Sequence, residues 1–136
     1  MRLLGIDYGK ARIGIAISDE EKIIATPLET IKNQKDYLDI ILNLIKEKNV
    51  EKTIIGLPLL MSGKDSDFTT EVREFAKKIK TLSNIEVVLW DERLTSKEVE
   101  KFLISEKIKR KKRAKLVDSM SAVLILQSYL NYDGNK

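Results

Sequence analysis

The stretch that decides the fold is Leu3-Leu-Gly5-Ile-Asp7-Tyr-Gly9-Lys10-Ala-Arg12-Ile-Gly14-Ile-Ala-Ile-Ser-Asp19. Two runs of strand-forming residues flank a short Gly9–Ala11 turn, which predicts a β-hairpin over about Leu3–Tyr8 and Arg12–Ser18. Asp is depleted in strands, and an inward-facing carboxylate must be paired, protonated or bound to a cation. The two-residue period of a strand puts Leu3, Gly5 and Asp7 on one face and Leu4, Ile6 and Tyr8 on the other. Gly9 lets backbone or ligand approach closely just past the carboxylate. A purely structural Asp7 that opens the turn fits this stretch equally well.

Outward from the hairpin, Asp19-Glu20-Glu21-Lys22 reads as a polar turn and Ile23–Ile31 as a third strand. Pro27 within that run suggests an edge position or a bulge. From Gln34 the period becomes helical up to about Lys48, with Leu38, Ile41 and Ile45 on one stripe. Thr53–Leu57 is a short, almost wholly apolar run between helices, as in a buried parallel strand, and Pro58 stops it. Leu59–Lys64 is a loop containing Gly63. A helix follows over about Asp67–Leu82, with Phe68, Val72, Phe75, Ile79 and Leu82 along one stripe. Glu86–Trp90 is a further buried strand ending in Asp91-Glu92-Arg93. Thr95 and Glu98 make a capping box that opens a helix to about Ile104. A basic loop over about Glu106–Ala114 precedes a last, mostly apolar helix from Lys115 to about Tyr129, and the tail Asn131–Lys136 is expected to fray.

This order, an antiparallel β-meander followed by two strand–helix units, predicts one α/β domain over residues 1–136. Right-handed crossovers make its five-stranded sheet mixed, with helices on both faces. Ligands of such sheets bind beyond the carboxyl ends of the parallel strands. Asp7, Gly56 and Glu92 lie at those ends, so the topology should gather them on one rim.

Composition narrows the chemistry. The 136 residues contain neither Cys nor His. That excludes disulfides, thiolate nucleophiles, Ser–His–Asp triads and His- or Cys-ligated zinc. A hydrolase without these is most naturally built from carboxylates holding a hard cation such as Mg²⁺. The longest apolar run, Ala122–Leu126, has five residues, far short of the roughly 20 that span a membrane. No signal pattern opens the chain, so a cytoplasmic, membrane-free protein is expected.

The formal charge of +4 is local. Lys107, Lys109, Arg110, Lys111, Lys112, Arg113 and Lys115 place seven positive charges in nine residues, and the remaining 18 basic residues face 21 acidic ones. A run this dense favours a polyanion such as nucleic acid over an ordinary solvated loop. A third acid, Asp118, follows it on the first turns of the last helix, where capping or helix-dipole stabilisation is the simpler role. Clustered with Asp7 and Glu92, it would need a cation to stay ionised.

Gly5-Ile-Asp7-Tyr-Gly9, Arg12-Ile-Gly14, Ile55-Gly56-Leu-Pro58, Asp91-Glu92-Arg93-Leu-Thr95-Ser96 and Lys115-Leu-Val-Asp118-Ser-Met-Ser-Ala122 occur in this order, followed by Ile125-Leu-Gln-Ser-Tyr129-Leu. Together they resemble the YqgF/RuvX family of small bacterial RNase H-like nucleases, from Leu3 to Leu130. A lone Gly-x-Asp-x-Gly also occurs in sugar-kinase-like phosphate loops; the ordered set is far more specific. The resemblance implies an RNase H-like fold with catalytic, metal-holding acids at Asp7, Glu92 and Asp118, and two Mg²⁺ or Mn²⁺ ions. It also implies either trimming of the 5′ end of pre-16S rRNA or resolution of Holliday junctions. One departure is Lys10-Ala11-Arg12, where many relatives carry a second basic residue beside the arginine.

Asp91 rivals Glu92, because adjacent acids at a strand end differ only in direction. Lys10, Arg12, Arg93 and the basic residues Lys109, Arg110, Lys111, Lys112 and Arg113 are candidate phosphate contacts. Arg93 could instead simply pair with Asp91. Trp90, Phe68, Phe75 and Phe102 read as core. The partner expected is a structured RNA precursor or branched DNA, met by a monomer or a homodimer. A non-catalytic nucleic-acid-binding module is the competing class. An actin-like ATP-binding fragment is disfavoured because the chain is too short for a second lobe.

Overall fold

The structure, a computed structural model, describes the backbone of residues 1–95 and 110–134 and the side chains of residues 1–95 and 120–133. Strands β1 (Arg2–Tyr8) and β2 (Arg12–Ser18) form the expected hairpin, with Asp7 opposite Gly14. Asn33 holds its turn, donating Nδ2 to the Gly9 carbonyl at 2.8 Å. The run read as one third strand is two pieces, β3 (Ala25–Pro27) and β4 (Ile31–Lys32), both antiparallel to β2. Ala16 faces Pro27 while Ile13 faces Ile31. Three steps on β2 therefore match four on its partner, a one-residue bulge that breaks the ladder just after Pro27. Ile23 and Ile24 lie in the exposed turn before β3. There Asp19 Oδ1 accepts the Ile23 and Ile24 amides at 2.7 and 3.0 Å.

Helix α1 (Tyr37–Glu47) leads into β5 (Val50–Leu57), which pairs parallel with β1. Helix α2 (Asp67–Ser83) is opened by a capping box of Ser66 and Thr69 and leads into β6 (Glu86–Asp91), parallel to β5. A 3₁₀ turn, Glu92–Leu94, follows β6. The sheet order is β3-β2-β1-β5-β6, with β4 also on β2, so six strands fill the mixed sheet. The helix expected from Thr95 lies, beyond Thr95 itself, outside the described residues, as does Phe102.

The last helix, α3, runs Arg110–Gly134. Residues 110–114, expected in a basic loop, are thus helical. Lys and Arg are good helix formers, and no Gly or Pro interrupts the approach to Lys115. The tail expected to fray is helical as far as Gly134.

The two faces of the sheet carry separate cores. Leu4, Ile6, Ile13, Ile15, Ile55 and Leu57 pack with Ile41 and Ile45 of α1 and Val72, Phe75 and Ile79 of α2. Leu3, Ala16 and Ile54 pack with Ala122, Val123, Leu126 and Leu130 of α3. The face assignment of β1 therefore holds: Asp7 lies on the α3 side. At Gly5 a Cβ would stand 2.7 Å from Leu126 Cβ, so the absent side chain sets how closely α3 approaches β1. Gln127 clips α3 to the β2–β3 turn, accepting from the Ala25 amide and donating to the Ile23 carbonyl, both at 2.9 Å.

Candidate active site

Asp7, the last residue but one of β1, lies on the α3 face, and the 3₁₀ turn after β6 swings Glu92 back towards it. Glu92 folds over β5: a Cβ on Gly56 would stand 2.8 Å from Glu92 Oε1 and 2.4 Å from Ile125 Cδ1. Gly56 is therefore the floor on which Glu92 lies. Asp7, Glu92 and Thr95, with Ser121, Leu124 and Ile125 of α3, line an open cavity of about 280 Å³.

The two acids share a hydrogen bond. Burial first, then the neighbouring Asp7 charge and that hydrogen bond, push the Glu92 carboxyl up to about 7. Asp7 is also raised by burial, while the bond from Glu92 pulls it partly back. Near neutral pH the Glu92 carboxyl is therefore only partly ionised beside Asp7. Two half-buried carboxylates this close cannot both ionise without a compensating positive charge.

Asp91 is committed elsewhere. Its Oδ1 accepts the Arg93 amide at 2.9 Å, and its carboxylate takes Arg93 Nε at 3.0 Å and Nη2 at 2.7 Å. That bidentate pair holds Asp91 below the usual carboxylate range. Of the two adjacent acids, Glu92 is the one brought to Asp7. Arg93 also donates Nη1 to the Met61 carbonyl at 3.4 Å, so here it braces the loop after β5.

The other candidates fall around this rim or outside the described side chains. Lys10 is exposed, with Nζ 5.7 Å from the centre of the Phe68 ring. Arg12 is exposed at the start of β2, opposite Lys32. Asp118 lies on α3 one turn before Ser121, at a helical spacing that puts 118, 121 and 125 in one row. Its side chain lies outside the described residues, as do those of Arg110, Lys111, Lys112 and Arg113; Lys109 lies outside them entirely. Among the described residues no three potential ligands converge. Trp90 is core-packed as expected, its ring edge-on to Tyr129 at 5.4 Å and its Nε1 donating to Ser128 Oγ at 3.1 Å.

Sequence reading missed Thr95 and Ser121 as lining residues. The signal for Ser121 was its place three residues after Asp118, which puts it on the same helix row.

The donor set suits a hard divalent cation: oxygen ligands only, crowded enough that a cation would favour ionisation of both acids. Mg²⁺ or Mn²⁺ meets that description.

The family model described as "RuvX: Holliday junction resolvase" matches residues 1–132. The chain belongs to the RuvX family. Relatives provisionally named pre-16S rRNA nuclease include proteins from Protochlamydia amoebophila and Endomicrobium trichonymphae. The first is 44% identical, covering 96% of this chain and 93% of its own. The second is 45% identical, covering 99% of each. RuvX architecture also resembles solved resolvases. Thermus thermophilus RuvC with a Holliday junction substrate superposes with a TM-score of 0.62 at 14% identity, over 99% of this chain and 96% of that one. The fowlpox virus resolvase with junction DNA gives 0.60 at 18%, over 97% and 98%. These likenesses establish the RNase H-like fold expected from sequence. Among the described residues of this RuvX member, no helix is long and apolar enough to cross a membrane.

Proposed function

We propose that this RuvX-family chain is a divalent-metal-dependent nuclease that hydrolyses phosphodiester bonds during 5′-end processing of pre-16S rRNA. The observation that carries the reading is the Asp7–Glu92 pair, drawn from two strand ends and walled by α3. The names of its relatives supply the substrate.

Asp7, Glu92 and Asp118 are the acids assigned to Mg²⁺ or Mn²⁺, with Asp7 central. Bound there, such cations would stabilise the negative charge that develops on the phosphate oxygens and make the attacking water more acidic. Gly56 keeps the space above β5 open for Glu92. Leu124 and Ile125 form the apolar wall of the cavity, which strengthens the electrostatics within it. The ionised form of Glu92 is the one that would hold a cation, so activity should rise as pH passes through about 7. Lys10 and Arg12 on the hairpin, Arg110, Lys111, Lys112 and Arg113 at the start of α3, and Lys109 hold the phosphate backbone without reading sequence.

The assay is cleavage of a pre-16S 5′-leader RNA and of a synthetic four-way DNA junction, side by side, with Mg²⁺ or Mn²⁺, by wild type and Asp7→Asn. Metal-dependent trimming of the RNA, lost in Asp7→Asn, is the expected result. Cleavage that persists in chelator or survives the substitution removes Asp7 from the chemistry. The family description favours a second reading, junction resolution. It calls for a symmetric dimer that cuts two strands in step, whereas trimming needs only a monomer. Sedimentation of the protein therefore separates the two.

A further inference from the structure

The most exposed large apolar residue in the described structure is Met61, at 93%, with Leu60 beside it at 48%. Both sit at the tip of the loop that leaves β5, on the rim that also carries Asp7 and Glu92. This tip is held in shape. Leu60 donates its amide to the Lys64 carbonyl at 2.9 Å, and Gly63 donates to the Leu60 carbonyl at 2.8 Å. Gly63 has φ +85°, a left-handed turn that favours glycine. The Arg93 guanidinium reaches the Met61 carbonyl and lies 3.6–4.0 Å from where a Gly63 Cβ would stand. Arg93 is itself fixed by Asp91 and follows Glu92 directly.

Nothing in the core needs Met61: its side chain is almost wholly solvated, yet the backbone beneath it is tied to the residue next to an active-site acid. Apolar surface held solvated on a fixed loop tip gains free energy when a partner covers it. The partner that reaches this rim is one that reaches the carboxylates, and Lys64 in the same loop is exposed beside the tip. Nucleic acid offers one apolar surface at such a place, the face of an unstacked base. Methionine and leucine are among the side chains that wedge between base steps.

We propose that Met61, supported by Leu60, is a wedge that enters the base stack beside the scissile phosphate and selects sites where a duplex gives way to single strand. This rests on the nuclease reading above and narrows its substrate class. Arg93 is then a positioning residue, which couples the wedge to Glu92 through Asp91 and the Met61 carbonyl.

The test uses an RNA hairpin with a 5′ single-stranded tail and 2-aminopurine at the stem–tail junction. It is bound with Mg²⁺ present by the full chain carrying Asp7→Asn, so that it is not cut. Binding should raise 2-aminopurine emission as the base unstacks. Adding Met61→Ser should cut that rise at least about twofold while Met61→Leu preserves it. Thermal stability should not change, because the side chain is solvated. An equal rise with Met61→Ser overturns the wedge, and is also the outcome if the tip serves a protein partner instead. If the Asp7→Asn protein binds no RNA and the wild type cuts none, the nuclease reading falls and takes the wedge with it. Cleavage by the wild type with emission indifferent to residue 61 removes the wedge alone.

Discussion

Replacing Glu92 with Gln should stabilise the metal-free protein while removing its nuclease activity. In the folded chain the Glu92 carboxyl sits at about 7, against an ordinary value of 4.5. That gap corresponds to a ceiling of about 3.4 kcal/mol at about 1.36 kcal/mol per pH unit. Glu92 is only half-buried, so solvent screening reduces the figure to about 1–2 kcal/mol. The folded value lies above the unfolded one, so the folded state binds more protons between about pH 4.5 and 7. Stability therefore falls as pH rises through that window. Glu92→Gln keeps a donor for the Asp7 carboxylate and carries no charge to desolvate. It should melt about 3–6 °C above wild type at pH 8 in chelator, a lead that shrinks several-fold at pH 5, where Glu92 is mostly protonated in wild type. Circular dichroism melts at the two pH values read this directly. A variant that melts at or below wild type at pH 8, or whose lead does not shrink at pH 5, would refute the shared-proton account.

Mn²⁺ at pH 8, where Glu92 is mostly ionised, should raise the melting temperature of wild type by neutralising the facing carboxylates, and Asp7→Asn should abolish the rise, as differential scanning fluorimetry would show. Gly56→Ala places a methyl 2.8 Å from Glu92 Oε1 and 2.4 Å from Ile125 Cδ1. It should cost about 1–3 kcal/mol in a urea melt and more than tenfold in cleavage rate, because Glu92 must move. Gln127→Met strips the Ala25 amide and the Ile23 carbonyl of their partner and should cost about 2–3 kcal/mol, again read by urea denaturation. Neutralising Lys111, Lys112 and Arg113 together should weaken RNA binding and flatten the slope of log affinity against log salt by about 2–3.

The hairpin is legible because two runs of strand-forming residues flank a short turn, and one residue, Asp7, breaks the rule for strands. The two-residue period of the strand groups Asp7 with Leu3 and Gly5, the face that α3 covers. Pro27 signalled an edge or a bulge, and both occur, but the size of the bulge depends on which β2 residues the returning chain meets. Between Asp91 and Glu92 the alternation had nothing to offer, since β6 ends at Asp91 and a 3₁₀ turn takes over. The choice is made by Arg93, which claims Asp91 from two residues away. The start of α3 was misplaced because charge density was read as irregular structure, although long basic side chains lose little freedom in a helix. The floor at Gly56 could be seen as a glycine at a strand end, but not as room for a carboxylate arriving from another strand.

One consequence follows from α3 serving as a wall of the carboxylate cavity. Among the described elements it is the last to leave the ribosome, and Leu3, Gly5 and Asp7 have no cover until it docks. A growing chain that has already built its sheet still lacks Ser121, Leu124 and Ile125, and with them the enclosure around Asp7 and Glu92. The pocket around the two acids is therefore completed by the C-terminal helix, and only once that helix has been synthesised and has docked.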